Sequence, residues 1–213
     1  MNNKISKIGM LSALALSCTL TMGARDIVQR TAHYMPEGNA FVCVNGSSRY
    51  TRALYGSTAE WRLETSDRPV FATYKKNQTG NIRFRISNGE QMMWLDEAEY
   101  CKASYEAGRR NYLLQDRRWG KGELDISVLA FPDTEGAVWR FIVRGFDNRK
   151  LKVEAVLSQT AVPKPVRSGD IGSFLKPGTF EPATSETSVL GSVSRLSPGS
   201  IFYFSVDGEN QLS

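Results

Sequence analysis

Ile82-Arg83-Phe84-Arg85-Ile86-Ser87-Asn88-Gly89 decides the fold class. Ile82, Phe84 and Ile86 alternate with Arg83, Arg85 and Ser87, so an extended chain here has one apolar and one polar face. A helix would scatter the same residues around its circumference. Asn88-Gly89 then turns the chain, because both residue types tolerate positive φ, and the reading makes 92–95 the partner strand of a tight hairpin.

The same period recurs on both sides. Leu124, Ile126 and Val128 alternate with Asp125 and Ser127; Trp139, Phe141 and Val143 alternate with Arg140 and Arg144. Leu151, Val153, Ala155 and Leu157 alternate with Lys150, Lys152 and Glu154. Upstream, short apolar runs end in turn residues: 40–44 at Asn45-Gly46, 52–55 at Gly56, 61–65 at Ser66-Asp67, and 70–74 in a polar cluster. Segments 100–105 and 111–115 flank Gly108 as a further hairpin. Each run is too short for a stable helix, and the succession predicts an all-β, antiparallel, supersandwich-like β-sandwich forming one domain over 40–213. Within it, the Pro-, Gly- and Ser-rich stretch 163–200 is expected to be a long loop that leaves the core and returns as a last strand at 201–206.

The chain has 213 residues, of which 41% are hydrophobic and 23% charged, a composition that builds a core and excludes disordered and collagen-like classes. Lys4 and Lys7 precede an uncharged apolar run at 8–20, followed by the small residues Gly23 and Ala24. That run is short of the roughly 20 residues a bilayer needs. The expectation is therefore a signal peptide at 1–24, a lead-in at 25–39, export to the periplasm or cell surface, and no membrane span in the mature chain. Cys18, in Leu14-Ala15-Leu16-Ser17-Cys18, is a candidate for lipidation, although Ala15 stands where Leu is usual. Without Lys4 and Lys7 the net charge falls from +5 to +3, too small an excess to call for nucleic acid, so the arginine-bearing strands read as a solvated face. Cys43 and Cys101 remain; they either form a disulfide or are two buried thiols.

Chemistry-bearing patterns are sparse. His33 is the single histidine, so a Ser-His-Asp triad or a His-rich metal site would rest on one residue of the lead-in. There is no phosphate-cradling glycine loop, Cys-x-x-Cys pair or His-Glu-x-x-His, which speaks against nucleotide and zinc enzymes, and no cofactor is called for. Asp96, Glu97, Glu99, Asp133 and Glu135 are carboxylates in turns, without a spacing that marks a glycosidase acid pair. The stretch Arg117-Arg118-Trp119-Gly120-Lys121-Gly122 sets one large aromatic among cations. Trp119 is there a stacking platform for a sugar, an anchor for a partner domain, or a side chain closing one end of the sandwich.

Five stretches in order, Phe41-Val42-Cys43-Val44-Asn45-Gly46, Arg49-Tyr50-Thr51-Arg52-Ala53-Leu54-Tyr55-Gly56, Glu64-Thr65-Ser66-Asp67-Arg68-Pro69, Arg117 to Glu123, and Pro132 to Trp139, carry a resemblance. Over roughly residues 33–206 the chain resembles an uncharacterised N-terminal domain family that opens large exported proteins similar to six-hairpin, (α/α)6-barrel glycosidases. The resemblance implies a non-catalytic β-sandwich module that braces a helical-barrel catalytic domain, in cis or in trans, and contributes to polysaccharide contact. Because the chain ends at Ser213, before such a barrel, no catalytic residue carries over. Tyr55, Arg118 and Trp119 are the expected contact residues. A stand-alone exported carbohydrate-binding module or surface adhesin is the alternative.

Overall fold

The computed structural model describes residues 34–47, 50–56, 61–75, 78–146, 151–158, 187–196 and 199–207, all within one compact unit, Ala32–Ser213. The expected signal peptide 1–24, Cys18, the expected lead-in up to His33, and residues 159–186 with most of the proline-rich stretch lie outside the described residues.

The described chain is antiparallel β-structure in two sheets, as the alternation predicts. The first sheet runs, in spatial order, β1 (Met35–Glu37), β2 (Ala40–Val44), β8 (Tyr100–Glu106), β9 (Arg109–Gln115), β10 (Glu123–Ala130), β11 (Gly136–Arg144) and β14 (Ile201–Asp207). The second runs β13 (Thr187–Leu196), β12 (Leu151–Ser158), β6 (Gln78–Ser87), β5 (Val70–Lys75), β4 (Trp61–Ser66) and β3 (Tyr50–Tyr55), with β7 (Met92–Trp94) also paired to β6. The inward residues of the alternating strands meet between the sheets. Phe71 lies edge-on to Trp139 at 5.4 Å and Phe84 to Phe141 at 4.9 Å, all four fully buried. T-shaped contacts of this kind suit the ring quadrupoles and add to the area buried.

Three local expectations change. The hairpin after β6 is a four-residue loop, with Ser87 opposite Met92, instead of a tight two-residue turn. Only Gly89 takes positive φ (92°), while Asn88 works through its side chain: Oδ1 accepts the N–H groups of Glu90 and Gln91 at 3.0 and 2.8 Å. The stretch 163–200 is not loop throughout, since β13 occupies 187–196 and pairs along β12. Gly191 and the serines between Val189, Val193 and Leu196 dilute its apolar signal. The β6 arginines do not stand on an open solvated face. Trp94 is the cross-strand partner of Arg85, its ring lies 4.2 Å from the Arg83 guanidinium carbon, and Arg83 makes a two-point pair with Asp96, Nε to Oδ1 at 3.2 Å and Nη2 to Oδ2 at 2.8 Å. Arg140 and Arg144 of β11, by contrast, are exposed as expected.

Among the described strands, one inward position carries a charge. In β9 the alternation Arg110, Tyr112, Leu114 turns Arg110 into the core, where it is 0% exposed. Its Nη2 donates to the Ser66 carbonyl at 2.7 Å and the Tyr34 hydroxyl at 2.6 Å, and lies 3.5 Å from Asp67 Oδ1. Tyr112 also donates to the Ser66 carbonyl at 2.8 Å, and Asp67 Oδ1 accepts from Thr51 at 2.8 Å and from Tyr34. Residues from β9, from the lead-in and from the β4–β5 turn are thus tied together in the interior. Burial lifts the Tyr34 phenol to about 12, so it stays a donor at any ordinary pH.

Removing one partner of a buried ion pair leaves an uncompensated charge. Arg110→Met should therefore cost about 3–5 kcal/mol in urea unfolding, with part recovered in Arg110→Met/Asp67→Asn. A loss under about 1 kcal/mol would mean that the pair does not hold the sheets.

Candidate functional site

A cleft of about 610 Å³ opens between the two sheets at one end of the sandwich. One wall is the end of β6, the loop after it and β7, contributing Ser87, Asn88, Gln91 and Met92; the other is the 3-10 turn at Arg117–Trp119. Ile86, Met93, Phe146 and Leu151 form the floor. Its volume lies in the range of small-ligand sites, which typically have a mainly apolar lining and a few placed polar groups.

The 3-10 turn is set by Asp116. As N-cap, its carboxylate accepts the Arg118 backbone N–H at 3.0 Å, the Arg118 Nε and Nη2 at 2.6 and 2.8 Å, and the Glu99 N–H at 3.1 Å. Its side chain is fully buried whereas that of Arg118 is 42% exposed, so the guanidinium is anchored at its root and open at its tip. The Arg118 guanidinium, helped by the two backbone N–H groups, holds the Asp116 carboxyl well down, at about 2.

Trp119 is half-buried, with its ring 5.4 Å from that of Phe146 at 45°. The contact requires a glycine at 122. A Cβ there would come within 2.8 Å of the Phe146 ring and 2.9 Å of Trp119 Cβ, closer than unbonded carbons approach. Trp119 therefore helps close the end of the core, and it also lines the cleft.

The expected contact residues divide. Arg118 and Trp119 come together in the cleft. Tyr55 does not join them: it is exposed at the end of edge strand β3, and the following Gly56 abuts the carbonyls of Phe131 and Thr134 beyond the far end of β10. The cleft lies near the start of β10, so the eight residues of that strand separate the two places by roughly 25 Å. The cationic run is split too. Arg117 and Lys121 line a second depression of about 350 Å³ with Glu99 and Tyr100, and Arg117 pairs there with Glu99 at 2.8 Å; Gly120 borders both depressions. Asn88, Gln91 and Phe146, absent from the sequence-based candidates, belong to the site. The Asn88-Gly89 turn signal was visible, but nothing local told which segment the turn would face.

Among the turn carboxylates, Asp96 and Glu99 are committed to Arg83 and Arg117. Cys43 and Cys101 are both buried thiols. Cys43 stands opposite Ala103, so Cys101 is diagonal to it on the neighbouring strand, a more distant relation than direct opposition. Burial pushes the Cys101 thiol up to about 12 and raises that of Cys43, which keeps both protonated and weakly reactive.

Residues 77–181 match a family model described as a domain of unknown function (DUF4450). The match supports an uncharacterised domain family, and the described cleft lining, Ile86 to Leu151, falls inside the matched span. No curated protein matches the chain.

Two outcomes follow from the site's electrostatics and its neighbourhood. Because the folded-state pKa of Asp116 lies below its ordinary value of 3.8, the Asp116–Arg118 pair stabilises the fold above about pH 4 and is lost as pH falls toward 2. Asp116→Asn should remove about 1–2 kcal/mol of stability at pH 7 and less at pH 2, as read from thermal melts, the exposed Arg118 keeping the figure small. Thiol labelling should find neither Cys43 nor Cys101 reactive in the native protein and both reactive in denaturant; failure of both to react in denaturant without reductant would show that they had paired.

Proposed function

We propose that this chain is the non-catalytic N-terminal β-sandwich module of an exported polysaccharide-degrading glycoside hydrolase, bracing a helical-barrel domain in cis or in trans and contacting carbohydrate through the cleft at Arg118 and Trp119. The observation that carries the reading is the construction of that cleft. An aromatic face held by Phe146, a guanidinium held by Asp116 and an opposite wall bearing Ser87, Asn88 and Gln91 are matched to a sugar ring, which has apolar C–H faces and a hydroxyl rim. The described lining has donors and acceptors to hold a glycan and contains no carboxylate. In this reading the barrel supplies the acid and base. Ile201 and Tyr203, more than half exposed on edge strand β14, offer an apolar edge for a packed neighbour.

A stand-alone exported carbohydrate-binding module or surface adhesin is the second reading, in which the same cleft meets the glycan directly. Calorimetry of the mature chain against a panel of oligosaccharides, beside pull-down with a co-expressed barrel domain, separates the two. Binding by the chain alone supports the second reading, and association with the barrel supports the first. In either case Trp119→Ala should weaken glycan binding about tenfold or more. A lower melting temperature with unchanged affinity would reduce Trp119 to a residue that closes the sandwich.

A further inference from the structure

Of the three cations in the run 117–122, only Arg118 lines the cleft that holds Trp119; Arg117 and Lys121 face the second depression across the Gly120 ridge. Arg118 brings little net charge with it. Its Nε and Nη2 already form a two-point pair with Asp116 at 2.6 and 2.8 Å, and Asp116 is buried and accepts two further backbone N–H bonds. The side-on edge of the guanidinium, one of the two edges able to grip a carboxylate at two points, is thereby taken. Nη1 and the second Nη2 hydrogen remain as directional donors from a neutralised pair. The other described polar groups of the lining are a hydroxyl and two amides, all uncharged.

From this geometry we infer, resting on the carbohydrate reading above, that the cleft takes a neutral sugar chain and not a uronate-bearing or sulfated one. Trp119 carries the apolar face of one ring, and Arg118, Asn88 and Gln91 hydrogen-bond its hydroxyls. An acidic sugar entering here would leave water and its counterions for a guanidinium whose charge Asp116 already balances. From the described lining, Coulombic attraction therefore gives it no advantage over a neutral ring, and the desolvation of its carboxylate counts against it.

The test is calorimetry of the full mature chain with neutral gluco-, xylo- and galacto-oligosaccharides and, in parallel, oligogalacturonate. The expected result is binding of a neutral oligosaccharide with a Kd that changes by less than about twofold between about 20 mM and about 500 mM sodium chloride, because no net charge pairing is screened. Arg118→Gln, a change at a half-exposed side chain, should weaken that binding about threefold to tenfold, the equivalent of one or two hydrogen bonds, without creating a salt dependence. Oligogalacturonate binding more tightly than every neutral chain, and losing affinity as salt rises, would overturn the inference while leaving the carbohydrate reading intact. Failure of both classes to bind, with a folded protein shown by its melting transition, would overturn both.

Discussion

The arginine at position 110 is the constraint around which the sandwich is organised. A guanidinium inside a β-sandwich is costly unless its donors find partners, and here Nε and Nη2 find them in groups far apart in sequence: the Ser66 carbonyl, the Tyr34 hydroxyl, Tyr112 and Asp67. Its Nη1 is buried without a hydrogen-bond partner among the described residues, so the network is under-satisfied as well as charged. Such a cluster contributes little net stability compared with well-packed apolar residues. It does penalise alternative registers, because sliding β9 by one residue would turn Arg110 outward and bring Arg109 into the same apolar interior without those partners.

The same logic, at smaller scale, builds the cleft. Asp116 accepts four hydrogen bonds, two from backbone and two from Arg118, and so fixes both the 3-10 turn and the guanidinium that the turn presents. Phe146, arriving from the end of β11, sets the tilt of Trp119, and Gly122 leaves room for that contact. Side chains held in this way lose less rotamer freedom when a ligand arrives than free surface residues do. The wall opposite is a loop whose conformation is set by the Asn88 side chain, so both sides of the opening rest on carboxylate or amide caps.

Much of this was legible in the order of residues. Period-two alternation is a property of a short segment, and it survives in the folded chain because an apolar face on one sheet is buried by any sheet packed over it. The runs at 82–86, 124–128 and 139–143 therefore became strands with their apolar residues facing inward, while 151–157 became a strand in which Glu154 and Val156 are buried as well as Val153 and Ala155. Where the alternation is diluted, as in Val189-Leu190-Gly191-Ser192-Val193, a strand passed for loop. Where it is broken by a charge, as at Arg110, only the pairing register of β9 with β8 and β10 shows that the charge points inward.

The site followed the opposite rule. The run Arg117-Arg118-Trp119-Gly120-Lys121-Gly122 announced an unusual turn, yet it could not say that Gly120 would part the cations between two depressions, or that Tyr55 would finish at the other end of the sandwich. By itself the sequence determined the class of secondary structure, the faces of most strands and the presence of an aromatic–cationic turn, because each depends on neighbours within a few residues. Only the tertiary structure decided which side chains share a cleft and whether an arginine there brings free charge, because both depend on pairings between segments distant in the chain.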